Sequence, residues 1–199
     1  MKRKLEKIGI VEDRICEVIV STFNADRSLN TAPMGCFLKE GMIVLRVHEG
    51  SHTFQNLMRE KCCVINITDD PVPFVYGTIR DPDFPYKRSK NFNAPILDLA
   101  KAYVELSLHA FELVDHENRM GKIRKGVFRF NIGEIVIREP VVAINRAKTA
   151  LIEAAICLSR SQDENYRKRF DYFIEVAKRT NKEYTDVIKE LEKSMGRFR

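Results

Sequence analysis

The apolar residues of this chain change period for good near residue 145, and that change limits the fold more than any other feature. Before it they fall in short alternating runs, as on strands with one buried face. After it they recur every three to four residues, as on amphipathic helices. Residues 17–24 are rich in Val, Ile, Thr and Phe, Ala25-Asp26-Arg27-Ser28 supplies turn chemistry, and residues 29–38 resume an extended pattern, which predicts a hairpin. Lys39-Glu40-Gly41 turns the chain into a strand over 42–47, with Ile43, Leu45 and Val47 on one face and Met42, Val44 and Arg46 on the other. Residues 51–61 place Phe54, Leu57 and Met58 at helical spacing, and residues 62–68 return to strand.

Pro71, Pro73, Pro82, Pro85 and Pro95 exclude a regular central strand from residues 69–95, which read as loop with one short helix near 74–79. Two long strands are predicted over 103–115 and 127–139, joined by a charged connection that contains Gly121 and Gly126. Together these make about six strands, enough for a mostly antiparallel barrel. From Asn145 onward, three helical stripes follow: Ala147, Leu151, Ala154 and Leu158; Tyr166, Phe170, Phe173, Ile174 and Ala177; Tyr184, Val187, Ile188, Leu191 and Met195. Ser161-Gln162-Asp163-Glu164 and Thr180-Asn181-Lys182-Glu183 fit the capping box and place two of the helix starts. The predicted class is therefore α+β, mainly β, with a barrel domain over 1–142 and a C-terminal bundle of about three helices over 143–199.

A chain of 199 residues buries a core without staples. Five cysteines, Cys16, Cys36, Cys62, Cys63 and Cys157, are an odd number without C-x-x-C spacing, which argues against a disulfide framework or a zinc knuckle. Cys62 and Cys63 alternate along a strand and cannot chelate one ion together. No apolar stretch approaches the roughly 18 residues of a membrane helix, and Met1-Lys2-Arg3-Lys4 runs on into charged sequence, so a cytoplasmic protein is expected. Lys and Arg outnumber Asp and Glu by 34 to 28, which permits phosphate partners from a single nucleotide to a nucleic-acid backbone without choosing among them. His48, His52, His109 and His116 have no metal spacing; His109 and His116 read as structural or exposed. No nucleophile elbow, P-loop or dinucleotide glycine pattern is present.

The chemistry concentrates between Ser21 and Asn66. Gly50-Ser51-His52-Thr53 lies where strand and turn feed a helix, so unpaired N–H groups and hydroxyls converge on a point of positive partial charge that suits a phosphate. Arg46, at the end of the preceding strand, adds a guanidinium. The plainer alternative is that Ser51 is an ordinary N-cap and Arg46 a solvated strand end. In Asn30-Thr31-Ala32-Pro33-Met34-Gly35, the proline removes a ladder donor and the glycine a side chain, so a flat ring can approach this backbone. A sheet edge blunted by proline, without a ligand, fits the same pattern.

Taken with Ser21-Thr22, Asn56-Leu57 and Val64-Ile65-Asn66, these elements resemble the FMN-binding split-barrel flavoproteins, and among them an uncharacterised, largely archaeal family. Asn145-Arg146-Ala147, leading into Ile152-Glu153-Ala154, is similar to the start of that family's helical extension. The resemblance implies a split barrel, FMN as cofactor, and a homodimer with each flavin near the subunit interface. It implies that Thr31, Ala32, Pro33, Met34 and Gly35 line the isoalloxazine through their backbone, and that Arg46, Ser51, His52 and Thr53 hold the phosphate. Asn56 and Asn66 are ribityl or ring partners, or else structural amides. The paired Arg/Lys signature of pyridoxamine-phosphate oxidases is missing, and the resemblance assigns neither a catalytic side chain nor a metal.

The expected function is an oxidoreductase passing electrons from a reduced nicotinamide or similar donor through FMN to a small acceptor. The alternatives are a flavin-binding or storage protein without turnover and, last, a nucleic-acid-binding module. The last rests on Phe84, Tyr86 and Phe92 among Lys87, Arg88 and Lys90. Runs such as Glu190-Leu191-Glu192-Lys193 speak against it, as solvated helix faces. The stretch from Arg80 to Pro95 reads as a surface loop or as a lid over the ring.

Overall fold

The structure is a computed structural model that describes residues 1–79, 82–118 and 121–196. The chain divides into two compact units, one made of Met1–Glu12 and Glu17–Ile144, the other of Asp13–Cys16 and Asn145–Arg199.

The first unit is a closed six-stranded antiparallel barrel. Its strands are β1 (Ile15–Phe23), β2 (Leu29–Lys39), β3 (Met42–His48), β4 (Cys62–Ile67) and, after the two-stranded sheet β5 (Tyr86–Arg88) and β6 (Pro95–Leu97), β7 (Ala102–Asn118) and β8 (Gly121–Ile137). They run β1-β2-β3-β8-β7-β4, and β1 closes on β4 with Ile19 opposite Asn66 and Ser21 opposite Val64. Cys36 pairs with Leu45 and Leu45 with Phe128, and all three are fully buried, so one inward layer crosses three strands. The two ladders of β3 differ in length. β3 pairs with β8 from Ile43 to His48, whereas β2 pairs with β3 only from Cys36 to Lys39, so residues 31–35 lie beyond that ladder. Pro33 lacks the N–H a ladder needs.

Helix α1 (Lys2–Lys7) precedes the barrel and was not legible in the charged N-terminal sequence. α2 (His52–Glu60) joins β3 to β4, and α3 (Val72–Ile79) starts where the Asp70 carboxylate accepts from Val72 N, with Pro73 tolerated in the first turn. The proline-rich segment departs from the expected loop by forming the β5–β6 sheet. Pro95 opens β6 at its first residue, where it needs no ladder donor. Residues 89–91 are tied to the barrel, since Ser89 Oγ and Asn91 Nδ2 both donate to the buried Glu105 carboxylate. Arg80 and Asp81 of the candidate lid lie outside the described residues.

β7 extends to Asn118 and β8 begins at Gly121, so both strands reach into the predicted charged connection. Gly126 is therefore not a turn residue; it pairs with Val47 and Leu113. A Cβ there would stand 2.5 Å from Phe128 and 2.8 Å from both Phe111 and Phe54, so the glycine makes room for three aromatic rings. His109 is exposed at a bulge in β7, and the side chain of His116 falls outside the described residues.

The second unit holds α4 (Arg146–Ser159), α5 (Glu164–Thr180), a single 3-10 turn and α6 (Thr185–Met195). Ala147, Ala150, Ala154 and Cys157 of α4 pack with Phe170, Ile174 and Ala177 of α5 and with Ile188 and Met195 of α6. Both capping boxes are displaced from their expected register. Asp163 rather than Ser161 caps α5, accepting from Asn165 N, and Ser161 is buried in the preceding turn. Thr180 ends α5 with its hydroxyl on Val176 O, and Asn181 caps the 3-10 turn. In each tetrad a later Asp or Asn, both strong N-caps, takes the role. Among the described residues no helix is long and apolar enough to cross a membrane.

Candidate functional site

The end of β3 and the start of α2 form the first half of the site. Gly50 takes a φ of +85°, in the left-handed region that favours glycine, with open space where a Cβ would stand. Ser51 caps α2: its Oγ accepts from Phe54 N at 3.2 Å and donates to His48 O at 2.9 Å. The N–H groups of His52 and Thr53 have no acceptor within the helix and point out of its N-terminus. Phe54 seats the helix on the barrel, its ring 5.7 Å from that of Phe111 and 5.6 Å from that of Phe128. Arg46 and His48 alternate onto one exposed face of β3, and the Arg46 guanidinium lies 5.2 Å from the Phe37 ring centroid.

Beneath α2 runs a buried polar network. Asn30 Nδ2 donates to Thr22 Oγ1 at 2.9 Å and to Thr53 Oγ1 at 3.0 Å. Asn56 Nδ2 donates to the same Thr22 oxygen at 3.0 Å and to Asn24 Oδ1 at 2.8 Å, while Asn56 Oδ1 accepts from Arg59 at 3.0 Å. Arg59 also donates to Phe23 O and pairs with Glu60 at 2.7 Å. That Arg59 contact holds the Glu60 carboxyl below its ordinary range, with Asn93 assisting and burial opposing.

The second half is the part of β2 beyond the β3 ladder. Thr31 is 3% exposed and its hydroxyl has no partner, an arrangement that costs about 1–3 kcal/mol when nothing compensates it. Ala32, Pro33, Met34 and Gly35 are half-buried. α3 lies over this segment: a Cβ on Gly77 would stand 3.0 Å from the Pro33 ring and 3.8 Å from Thr31 Oγ1.

Of the residues expected at the site, the structure joins Thr53 and Asn56 through Asn30 and Thr22, and places Thr31, Ala32, Pro33, Met34 and Gly35 under α3. Asn66 belongs to a different network. It is fully buried, donates to Ile19 O at 3.0 Å and Ser21 Oγ at 2.8 Å, and accepts from Leu97 N at 3.0 Å. Ser21 and Thr22 are neighbours on β1 and point to opposite faces, which keeps the two networks apart. Both amide hydrogens of Asn56 and of Asn66 are committed within the protein. Thr22 and Asn30 stood in the sequence motifs without a role, and Asn24 and Arg59 were missed; for Thr22 the available signal was a hydroxyl following the apolar run Val18-Ile19-Val20, because a buried hydroxyl needs a partner.

The sequence matches the N-terminal domain of DUF447, described as a protein of unknown function, over residues 16–139, and the second DUF447 model over residues 145–193. The chain belongs to the DUF447 family. A curated relative, the uncharacterized protein MJ1453 of Methanocaldococcus jannaschii, is 28% identical over 156 residues, 77% of this DUF447 chain and 78% of the relative. The structure is similar to that of the FMN-bound DUF447 protein MM1853 from Methanosarcina mazei, with a TM-score of 0.55 and 26% identity over 98% of this chain and all of the other. Nitrilotriacetate monooxygenase component B from Bacillus cereus has a TM-score of 0.52 at 15% identity, covering 70% of this chain and 78% of that one. Flavoredoxin of Desulfovibrio vulgaris has 0.51 at 15%, covering 63% and 71%. These two share the fold of this DUF447 chain.

Proposed function

We propose that this protein binds FMN and acts as an oxidoreductase, taking electrons from a reduced nicotinamide or similar small donor and passing them to a small acceptor. The observation that carries the reading is the buried, unpartnered Thr31 hydroxyl in the strand segment that leaves the β3 ladder. A ring edge bearing hydrogen-bonding atoms would supply the missing partner. The FMN-bound DUF447 relative, matched over its whole length, supports the choice of ring.

In this proposal Thr31, Ala32, Pro33, Met34 and Gly35 line the isoalloxazine. The N–H groups of His52 and Thr53 and the Arg46 guanidinium hold the phosphate, an anion suited to a helix N-terminus, while Ser51 fixes the first turn and His52 flanks it. Asn56 and Asn66 act at one remove, by holding β1, α2 and β6 in place. FMN, when bound, supplies the hydride and electron chemistry, and the protein supplies orientation, charge complementarity and exclusion of water. We extend the proposal to residues 1–142 as the flavin domain and 143–199 as a helical domain, and to a cytoplasmic homodimer with the flavin near the interface. The exposed Val72, Val75 and Tyr76 of α3 support the dimer, because apolar side chains beside the ring segment are what a second copy would cover.

Titrating the purified protein with FMN tests the reading: flavin fluorescence should be quenched and the protein should turn yellow. A protein that stays colourless and leaves the fluorescence unchanged overturns it. Anaerobic mixing of the loaded protein with NADH or NADPH then separates enzyme from carrier. Bleaching supports the oxidoreductase, and failure with both supports a flavin-binding or storage protein.

A further inference from the structure

We propose that Asn30 is a positioning residue that turns the Thr53 hydroxyl proton outward, so that the start of α2 offers a phosphate one O–H donor beside its two free N–H groups. The inference rests on the FMN reading of the same site and assigns a role to a residue which that reading leaves out.

The directions nearest Arg59 follow from its charge, and at Thr22 and Thr53 it is the Asn30 amide nitrogen that stands at hydrogen-bond distance. Arg59 can only donate, so Asn56 presents Oδ1 to it and turns both amide hydrogens to Thr22 and Asn24. Thr22 Oγ1 therefore receives one hydrogen from Asn56, and it receives a second from Asn30 at 2.9 Å. Both lone pairs of that hydroxyl are then occupied. The other amide hydrogen of Asn30 goes to Thr53 Oγ1 at 3.0 Å. A hydroxyl that accepts from one side keeps its own proton for another acceptor, and Thr53 is the second residue of α2. Asn30, Thr53 and Asn56 are each no more than 4% exposed, so water does not compete for these contacts. Asn30 links the strand that carries the ring segment to the helix that carries the phosphate donors, and holds the two halves of the site in register.

The test compares FMN with riboflavin, which has the same ring and no phosphate, on the wild type, Asn30→Asp, Asn30→Ala, Thr53→Val and the double variant Asn30→Asp/Thr53→Val. Asn30→Asp replaces a donor with an acceptor and draws the Thr53 proton inward. It should weaken FMN about tenfold or more, the worth of a hydrogen bond to a charged group, while leaving riboflavin nearly unchanged. Asn30→Ala, which adds no charge, should show the same selective loss. In the Thr53→Val background the substitution at Asn30 should have little further effect. Equal losses for both flavins would mean a merely structural role and would overturn the proposal; so would a loss from Asn30→Asp that persists undiminished without the Thr53 hydroxyl. A wild type that binds riboflavin and FMN equally also overturns it while the flavin reading stands. A wild type that binds neither removes the flavin reading itself, and this proposal with it.

Discussion

Gly126→Ala should destabilise the barrel by about 1–2 kcal/mol and weaken the phosphate end of the site, although the residue lies in a strand and touches no ligand. Gly126 does not have a positive φ, so the backbone itself accepts alanine. The obstacle is the added methyl, which would stand 2.5 Å from Phe128 Cε2 and 2.8 Å from Cε2 of both Phe111 and Phe54. Ordinary carbon contacts are about 3.5–4.0 Å, so all three rings or the strand itself must give way, by roughly 1 Å at Phe128 and somewhat less at the other two. Phe128 is fully buried, with ring centroids of Phe111 at 4.8 Å and Phe130 at 6.2 Å, and has little room to do so. The half-buried Phe54 yields more easily, and it carries α2 with it. Overpacking of this kind costs about 1–3 kcal/mol, toward the upper end where three rings are met at once, and the stiffer unfolded chain offsets about 0.4–1 kcal/mol of it. Urea unfolding followed by circular dichroism should show a lower midpoint, and FMN titration a weaker affinity. Adding Phe54→Leu, which shortens the ring that yields, should recover part of both losses. A Gly126→Ala protein as stable as the wild type would refute the packing argument.

Arg46→Ala should weaken FMN by about 1.5–3 kcal/mol, the worth of a charge-assisted contact, and leave riboflavin unaffected; calorimetric titration that finds FMN affinity unchanged rejects Arg46 as a phosphate ligand. Asn66→Leu takes the amide donor from Ile19 O and the acceptor from Leu97 N, both buried, while Ser21 Oγ still donates to Pro95 O. At about 1–3 kcal/mol for each unsatisfied group, urea unfolding should register a loss of roughly 2 kcal/mol or more. A variant of wild-type stability that no longer takes up flavin would make Asn66 a ligand instead. Glu60, held below its ordinary value of 4.5 chiefly by Arg59, stabilises the fold above that pH and ceases to do so as the pH falls through its lowered value. Glu60→Gln should therefore be the less stable protein near neutrality, with the gap to wild type closing on acidification below pH 4.5; a gap independent of pH would contradict the assignment.

The strand order of the barrel's first half and the helical end were legible because period alone separates them: Ile43, Leu45 and Val47 alternate inward, and Phe170, Ile174 and Ala177 recur at three to four residues. What period does not encode is what a single residue is for. Gly126 reads as punctuation, yet it serves ring packing between β8, β7 and α2, a demand set by Phe54 and Phe111 from elsewhere in the chain. Pro95 reads as a strand breaker, yet at the first position of β6 it breaks nothing. The capping boxes slipped because Asp163 and Asn181 stand inside the same tetrads as Ser161 and Thr180 and are themselves good N-caps, so a four-letter pattern fixes the helix start only to within a residue or two.

The sequence puts Thr31 beside the ring through its backbone and Thr53 on the phosphate, and it leaves Asn56 and Asn66 open as ligand partners or structural amides. Hydrogen-bond capacity separates them. An asparagine has two amide hydrogens and one carbonyl oxygen to offer; at Asn66 all three atoms are engaged by the barrel and β6, and at Asn56 by Thr22, Asn24 and Arg59. Thr31 is the opposite case, a buried hydroxyl with nothing engaged. Native proteins rarely leave such a group unpaired, so an unfilled Thr31 is a stronger pointer to a ligand than any of the satisfied amides. Thr53 stands between these cases, since Asn30 engages its oxygen and leaves its proton. The proposed FMN contacts therefore fall at groups the barrel itself leaves open, the Thr31 hydroxyl and the first turn of α2, whereas Asn56 and Asn66 are spent on holding the fold.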